Sequence, residues 1–161
     1  MAAALRYEPI VTVYLHCPGT RLPSPIMALA EADDAPAQFI FDHGALGAAP
    51  GRFACVVSGA RPWVEAGLQA TADAVLSQVC QAFAPGTWPH TPTVLRVVAE
   101  KRATFRCTPL LARPVATVAT RLFAAGDYVD GPYPATLEGA VRAAEHAVEL
   151  LATNSAATAK V

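Results

Sequence analysis

At 161 residues the chain has room for one hydrophobic core, which argues against a large multidomain enzyme. Hydrophobic residues make up 53% and charged residues 16%, with a mean hydropathy of +0.33, a balance that belongs to a packed chain and not to a disordered one. A net charge of −1 without a clustered Lys/Arg run argues against a nucleic-acid binder.

The first element is residues 10–17, a β-branched and aromatic run that reads as a strand and ends at Pro18-Gly19. Residues 20–36 carry Pro23, Pro25 and Pro36 around Ile26-Met27-Ala28-Leu29 and read as a loop with one short apolar segment. Residues 37–43 and 52–58 read as an antiparallel hairpin joined through Gly44, Gly47, Pro50 and Gly51. From residue 62 to 83 the period changes: Val64, Leu68, Ala72, Val75, Val79 and Phe83 lie three or four apart and predict one helix, opened by Pro62 and closed by Pro85-Gly86. Residues 93–105 predict another strand, Pro109 and Arg113-Pro114 a linker, and residues 122–125 a short apolar strand.

That short strand runs into Gly126-Asp127, a turn through Gly131-Pro132-Tyr133-Pro134, and a helix starting near Thr136. On this helix Leu137, Val141, Ala144, Val148 and Leu151 form an apolar stripe, with Glu138, Arg142 and Glu145 away from it. Its first turn is built from small residues, Ala135, Gly139 and Ala140, so a ligand or another backbone can come close. Thr136 can cap the start, where free N–H groups favour negative charge. Gly126 permits close approach to the backbone, and Asp127 can accept hydrogen bonds from sugar or polyol hydroxyls. The segment suits a polar, partly anionic cofactor, and it equally suits an ordinary strand–turn–helix whose glycines serve only the turn.

Cys17, Cys55, Cys80 and Cys107 are scattered beside apolar runs without a C-x-x-C pair, and read as buried small hydrophobes in a reducing compartment. The N-terminus lacks the basic region and apolar run of a signal peptide, and no window reaches the roughly 18 apolar residues of a membrane span. A soluble cytoplasmic protein is expected, with peripheral membrane contact left open. Ser58 lacks a nucleophile-elbow spacing, and the four histidines lack metal-ligand spacing, so no metal site is expected.

Ala125-Gly126-Asp127-Tyr128 followed by Tyr133-Pro134-Ala135-Thr136-Leu137-Glu138-Gly139-Ala140-Val141 resembles the C-terminal FAD-binding motif of the flavin amine oxidase and phytoene desaturase superfamily. Upstream, Glu8-Pro9-Ile10-Val11-Thr12-Val13-Tyr14-Leu15, Phe39-Ile40-Phe41-Asp42, and Glu100-Lys101-Arg102-Ala103-Thr104-Phe105 with Thr108-Pro109 and Arg113-Pro114 narrow the resemblance. They are similar to the squalene-associated FAD-dependent desaturases, also described as hydroxysqualene dehydroxylases of hopanoid and carotenoid precursor synthesis.

The resemblance implies that Gly126 and Asp127 stand near the phosphate and ribityl part of FAD. It places Thr136 and Leu137 beside the isoalloxazine ring, with the Leu137 N–H directed at the pyrimidine oxygen, and counts Ala135 among the cofactor-binding residues. Amine oxidases of the superfamily carry an aromatic residue where Thr136 stands, so amine oxidation is not implied and an apolar isoprenoid substrate is compatible. No catalytic residue is implied.

Family members also open with a G-x-G-x-x-G turn that cradles the FAD pyrophosphate, a spacing the ten glycines of this chain do not contain. The resemblance therefore implies the C-terminal third of such an enzyme. Residues 6–108 would belong to the substrate-binding domain and residues 109–152 to the FAD-binding domain, with 153–161 a disordered tail. The expected fold is α+β, a mainly antiparallel sheet with one covering helix plus a C-terminal strand–helix unit. The expected function is an FAD-dependent oxidoreductase of a squalene-type isoprenoid, inactive as this chain alone. The alternative is an interaction module or split subunit that completes a flavin site with a separate N-terminal chain; a homo-oligomer is also left open as a partner arrangement. A stand-alone binder of an apolar ligand is a third reading.

Overall fold

Burial alternates along Tyr7–His16 (β1): Val11, Val13 and Leu15 are buried, while Ile10, Thr12 and Tyr14 are half-buried on the other face. This period of two is that of a strand with one face on a core. The computed structural model describes residues 2–158, with side chains through residue 153, and separates into two compact units, residues 8–103 and residues 1–7 with 104–161.

In the first unit β1 joins Ile26–Ala28 (β2), Phe39–Asp42 (β3), Arg52–Val57 (β4) and Thr93–Phe105 (β5) in one sheet of order β2-β3-β4-β1-β5. The pairs β2 with β3, β3 with β4, and β4 with β1 are antiparallel, which aligns Val13 with Cys55 and Cys55 with Ile40 in one buried row. The mainly antiparallel α+β class read from the sequence is the observed one. The short apolar segment read within the loop over 20–36 forms β2, whose three residues sit at the sheet edge directly after Pro25, which could not serve a central strand.

Arg61–Ala66 (α1) and Leu68–Ala82 (α2) replace the single helix expected over 62–83. The break is at Gly67, whose φ of +102° lies outside helical space and is cheap only for glycine. The Thr71 hydroxyl then reaches the Trp63 and Gly67 carbonyls (3.0 and 3.1 Å), fastening α2 to the end of α1. Ala72, Val75 and Val79 of α2 pack on Val11, Val13, Leu15, Phe53, Cys55 and Val57 of the sheet. Trp88 closes the end of this core, edge-on to Phe53 and Phe83, with its indole N–H on the Val79 carbonyl (3.0 Å).

Burial divides the four cysteines, correcting the expectation that all are core residues: Cys17 and Cys55 are buried, but Cys80 and Cys107 are exposed. Cys80 lies on the outer side of α2, and an apolar neighbourhood in sequence does not say which side of a helix faces inward. Burial pushes the Cys55 thiol up to about 12, so almost no thiolate exists there at neutral pH. The Cys80 thiol is also raised, first by desolvation and then by Cys17, so it should react more slowly than its exposure alone implies. Iodoacetamide should therefore label native protein at Cys107 and Cys80, and reach Cys17 and Cys55 only in denaturant. Mass-spectrometric detection of early Cys55 alkylation would contradict this packing.

In the second unit Thr117–Ala119 (β6) and Leu122–Phe123 (β7) form a two-stranded antiparallel ribbon where the sequence predicts a linker and a lone strand. Leu137–Thr158 (α3) contacts β7. This helix runs past residue 152, where a disordered tail was expected to start; residues 159–161 lie outside the described residues. The apolar stripe is not the packed face. Leu137, Val141, Ala144, Val148 and Leu151 are exposed, whereas Gly139 and Ala147 are buried and Ala140, Ala143 and Leu150 half-buried. Small side chains at helical spacing let a neighbouring backbone approach, so the inward side is the small one and not the greasy one. No described helix is long and apolar enough to cross a membrane.

Candidate functional site

The site is built where β7 gives way to α3. At Gly126 the backbone takes φ +149°, and a Cβ there would lie 2.6 Å from the Tyr128 ring, so the position admits only glycine without rearrangement. The Asp127 carbonyl accepts the Ala135 N–H (3.3 Å), folding the intervening turn back on the strand end. That bond brings Gly126 and Asp127 beside Ala135, from which Thr136 and Leu137 lead directly into the helix. The five residues singled out from the sequence thus occupy one loop cluster. The Asp127 carboxylate has no hydrogen-bond or ion-pair partner among the described residues, leaving its acceptors available.

The turn is held in a strained shape. Tyr133 and Ala135 both have φ +57°, left-handed space that costs a non-glycine residue about 1 kcal/mol or more. Thr136 holds them there: its hydroxyl donates to the Tyr133 carbonyl (2.6 Å) and accepts the Gly139 N–H (3.0 Å), capping α3. The Arg142 guanidinium stacks over the Tyr133 ring at 5.0 Å and pairs with Glu138 at 2.6 Å. Because Thr136 takes the third N–H of the helix, those of Leu137 and Glu138 are left without an intrahelical acceptor. They point the positive end of the helix dipole out of its first turn.

Sequence reasoning did not find the clamp behind this turn. Arg113, with a nearly buried side chain, donates to the Val129 and Gly131 carbonyls (2.9 and 2.5 Å) and pairs with Asp130 (3.2 Å). Its sequence distance of 16 to 18 residues from those partners leaves no local signal, although Arg113-Pro114 is part of the resemblance. Among the described residues no three His, Cys, Asp or Glu side chains gather as a metal site.

No protein-family model matches the chain. A hydroxysqualene dehydroxylase of Rhodopseudomonas palustris is 33% identical to it over 106 residues, which are 63% of this chain and 24% of that protein. The match therefore spans about a quarter of the relative's length. The relative bears the name of the group that residues 8–15, 39–42 and 100–114 resemble. The donors and acceptors gathered here fit one edge of a flavin: a free carboxylate suits hydroxyl groups, and two outward N–H groups suit a carbonyl that gains negative charge on reduction.

Proposed function

We propose that this chain forms part of an FAD-dependent oxidoreductase acting on a squalene-type isoprenoid, supplying one edge of the flavin site and an apolar sheet face toward the substrate. The observation that carries the reading is the gathering of Gly126, Asp127, Ala135, Thr136 and Leu137 at a helix start whose first two N–H groups are free. Similarity to a hydroxysqualene dehydroxylase supports it. Gly126 and Asp127 would stand beside the phosphate and ribityl part of FAD, and Ala135, Thr136 and Leu137 beside the ring. When bound, FAD supplies the two-electron redox chemistry. The chain's own contribution is electrostatic and positional: the helix start stabilises negative charge on the ring edge, and Thr136 fixes that start. The phosphate cradle would come from residues other than these 161, so this chain alone binds FAD weakly and does not turn over.

Leu137→Pro tests the donor directly. Proline is tolerated at the first helical position, so the substitution deletes one outward N–H while leaving α3 intact. Flavin fluorescence should report weak FAD binding by this chain alone and stoichiometric binding together with a G-x-G-x-x-G-bearing chain encoded beside it. In that assembly Leu137→Pro should weaken oxidised FAD about 2- to 10-fold, the worth of a neutral hydrogen bond, and the reduced flavin more, with unchanged circular dichroism. Stoichiometric flavin on this chain alone would overturn the divided site, and absence of flavin from both preparations would overturn the reading. The exposed stripe of α3 favours a second reading, an interaction module without redox chemistry. A flavin-free complex with the neighbouring chain would select it.

A further inference from the structure

The sheet face turned away from α2 changes character along its strands. The register sets His16 opposite Arg52; two residues on, Tyr14 faces Ala54, which faces Phe41; two further, Thr12 faces Val56, which faces Phe39. Directly opposed residues share a face, and successive rows stand about 7 Å apart. One end of the face is therefore cationic and the other apolar.

At the cationic end lies a groove of about 510 Å³, lined by Tyr14, His43, Arg52, Leu95, Arg96 and Val98. Tyr14 and His43 meet edge-on, with ring centroids 6.1 Å apart. Arg52 and Arg96 are exposed and have no carboxylate partner among the described residues. No acidic side chain lines the groove, and Asp42, which precedes His43 in sequence, is buried on the opposite face, with both oxygens taken by the Ala45 and Leu22 N–H groups. Two unpaired guanidiniums on one groove repel each other unless an anion lies between them, and their forked donors match phosphate oxygens. Beyond them, Phe39 and Ile26 remain 45% and 48% exposed on the apolar end.

We propose that this face binds a single long-chain phosphate or diphosphate ester, its head held by Arg52 and Arg96 and its hydrocarbon laid over Phe41 and Phe39. The ligand is one molecule and not a bilayer surface: the groove has the volume of a small-molecule site, whereas an anionic membrane is held by clusters of about four to eight Lys/Arg. The inference assigns a ligand to the sheet face that the proposed function turns toward the substrate, and its test reads binding by this chain without flavin.

Titration of the full chain with farnesyl diphosphate, inorganic diphosphate, farnesol and phosphatidylglycerol vesicles, followed by calorimetry, tests it. Farnesyl diphosphate should bind at least about tenfold more tightly than inorganic diphosphate or farnesol, because only it engages both ends. Arg52→Gln and Arg96→Gln should each weaken it about tenfold or more without affecting farnesol, and Phe39→Ala should weaken it without affecting inorganic diphosphate. Added salt should weaken farnesyl diphosphate in the unsubstituted protein and leave farnesol unchanged, a readout that survives if a variant fails to fold. Equal affinity for inorganic diphosphate would reduce the groove to a phosphate site and overturn the proposal. So would equal affinity for farnesol, indifference to both arginine substitutions, or binding to vesicles in preference to the soluble ester.

Discussion

Gly139→Ala is expected to destabilise the chain by about 3 kcal/mol, although alanine in a helix is ordinarily better than glycine by about 1 kcal/mol. Gly139 is buried at the third position of α3, and a Cβ there would fall on the Tyr133 carbonyl oxygen. That oxygen is the acceptor of the Thr136 hydroxyl, which in turn holds the Gly139 N–H. The turn cannot retreat by rotating a side chain, because the obstacle is backbone. It must surrender the cap, worth about 1 kcal/mol, and overpack the buried helix start, and the strain released at Tyr133 and Ala135 offsets only part of that cost. Hydrogen exchange should accelerate at the amides of residues 135–140, and the thermal midpoint should fall. A raised midpoint would mean that the helix start is free to move away. Under the proposed function the same substitution should remove flavin binding from the assembled site, since it displaces Ala135, Thr136 and Leu137 together. Leu137→Pro should weaken binding without melting the turn, so the two variants separate loss of a donor from loss of the scaffold.

Elements with one dominant period were legible in the sequence. Thr93–Phe105 follows from a β-branched run closed off by Pro92, and β1 from its alternation. The Gly67 break was hidden because the spacing from Val64 to Leu68 continues the helical period across it; only the backbone angle reveals the stop. On α3 the apolar stripe was correctly seen as a stripe but says nothing about which side is packed. Gly139, Ala143 and Ala147 recur every four residues, and that small-residue row was the available signal for close backbone contact. The candidate site was legible because glycine, aspartate and a threonine cap mark a strand–turn–helix locally. Arg113 was not, because two of its partners are carbonyls, which every residue has and no sequence advertises, and its one carboxylate partner, Asp130, lies 17 residues away with no periodicity linking them.

Gln78→Met is expected to cost roughly 3–5 kcal/mol, despite exchanging side chains of similar length. Gln78 is buried on α2, where its carbonyl oxygen accepts the Ala37 N–H (2.8 Å) and its amide donates to the Ala30 and Ala37 carbonyls (2.8 and 2.9 Å). One side chain thereby satisfies three backbone groups of the segment leading into β3, and methionine leaves the N–H and carbonyl of buried Ala37 unpaired where water is excluded, while the carbonyl of exposed Ala30 can turn to solvent. Gln78→Glu separates the acceptor from the donors. A carboxylate still accepts the Ala37 N–H, but it faces two carbonyl oxygens and is desolvated, both of which raise its pKa in the folded state. With the folded value above the unfolded one, the protonated form is favoured by folding. The glutamate variant should thus be most stable below its unfolded pKa and lose stability as pH rises through its folded pKa. Urea titrations at acidic and neutral pH should show that slope in the difference from the unsubstituted protein. Gln78→Met, with nothing to titrate, should show a constant deficit. A flat difference for Gln78→Glu would mean that the segment opens to water around the charge, and the large cost expected for methionine would then shrink with it.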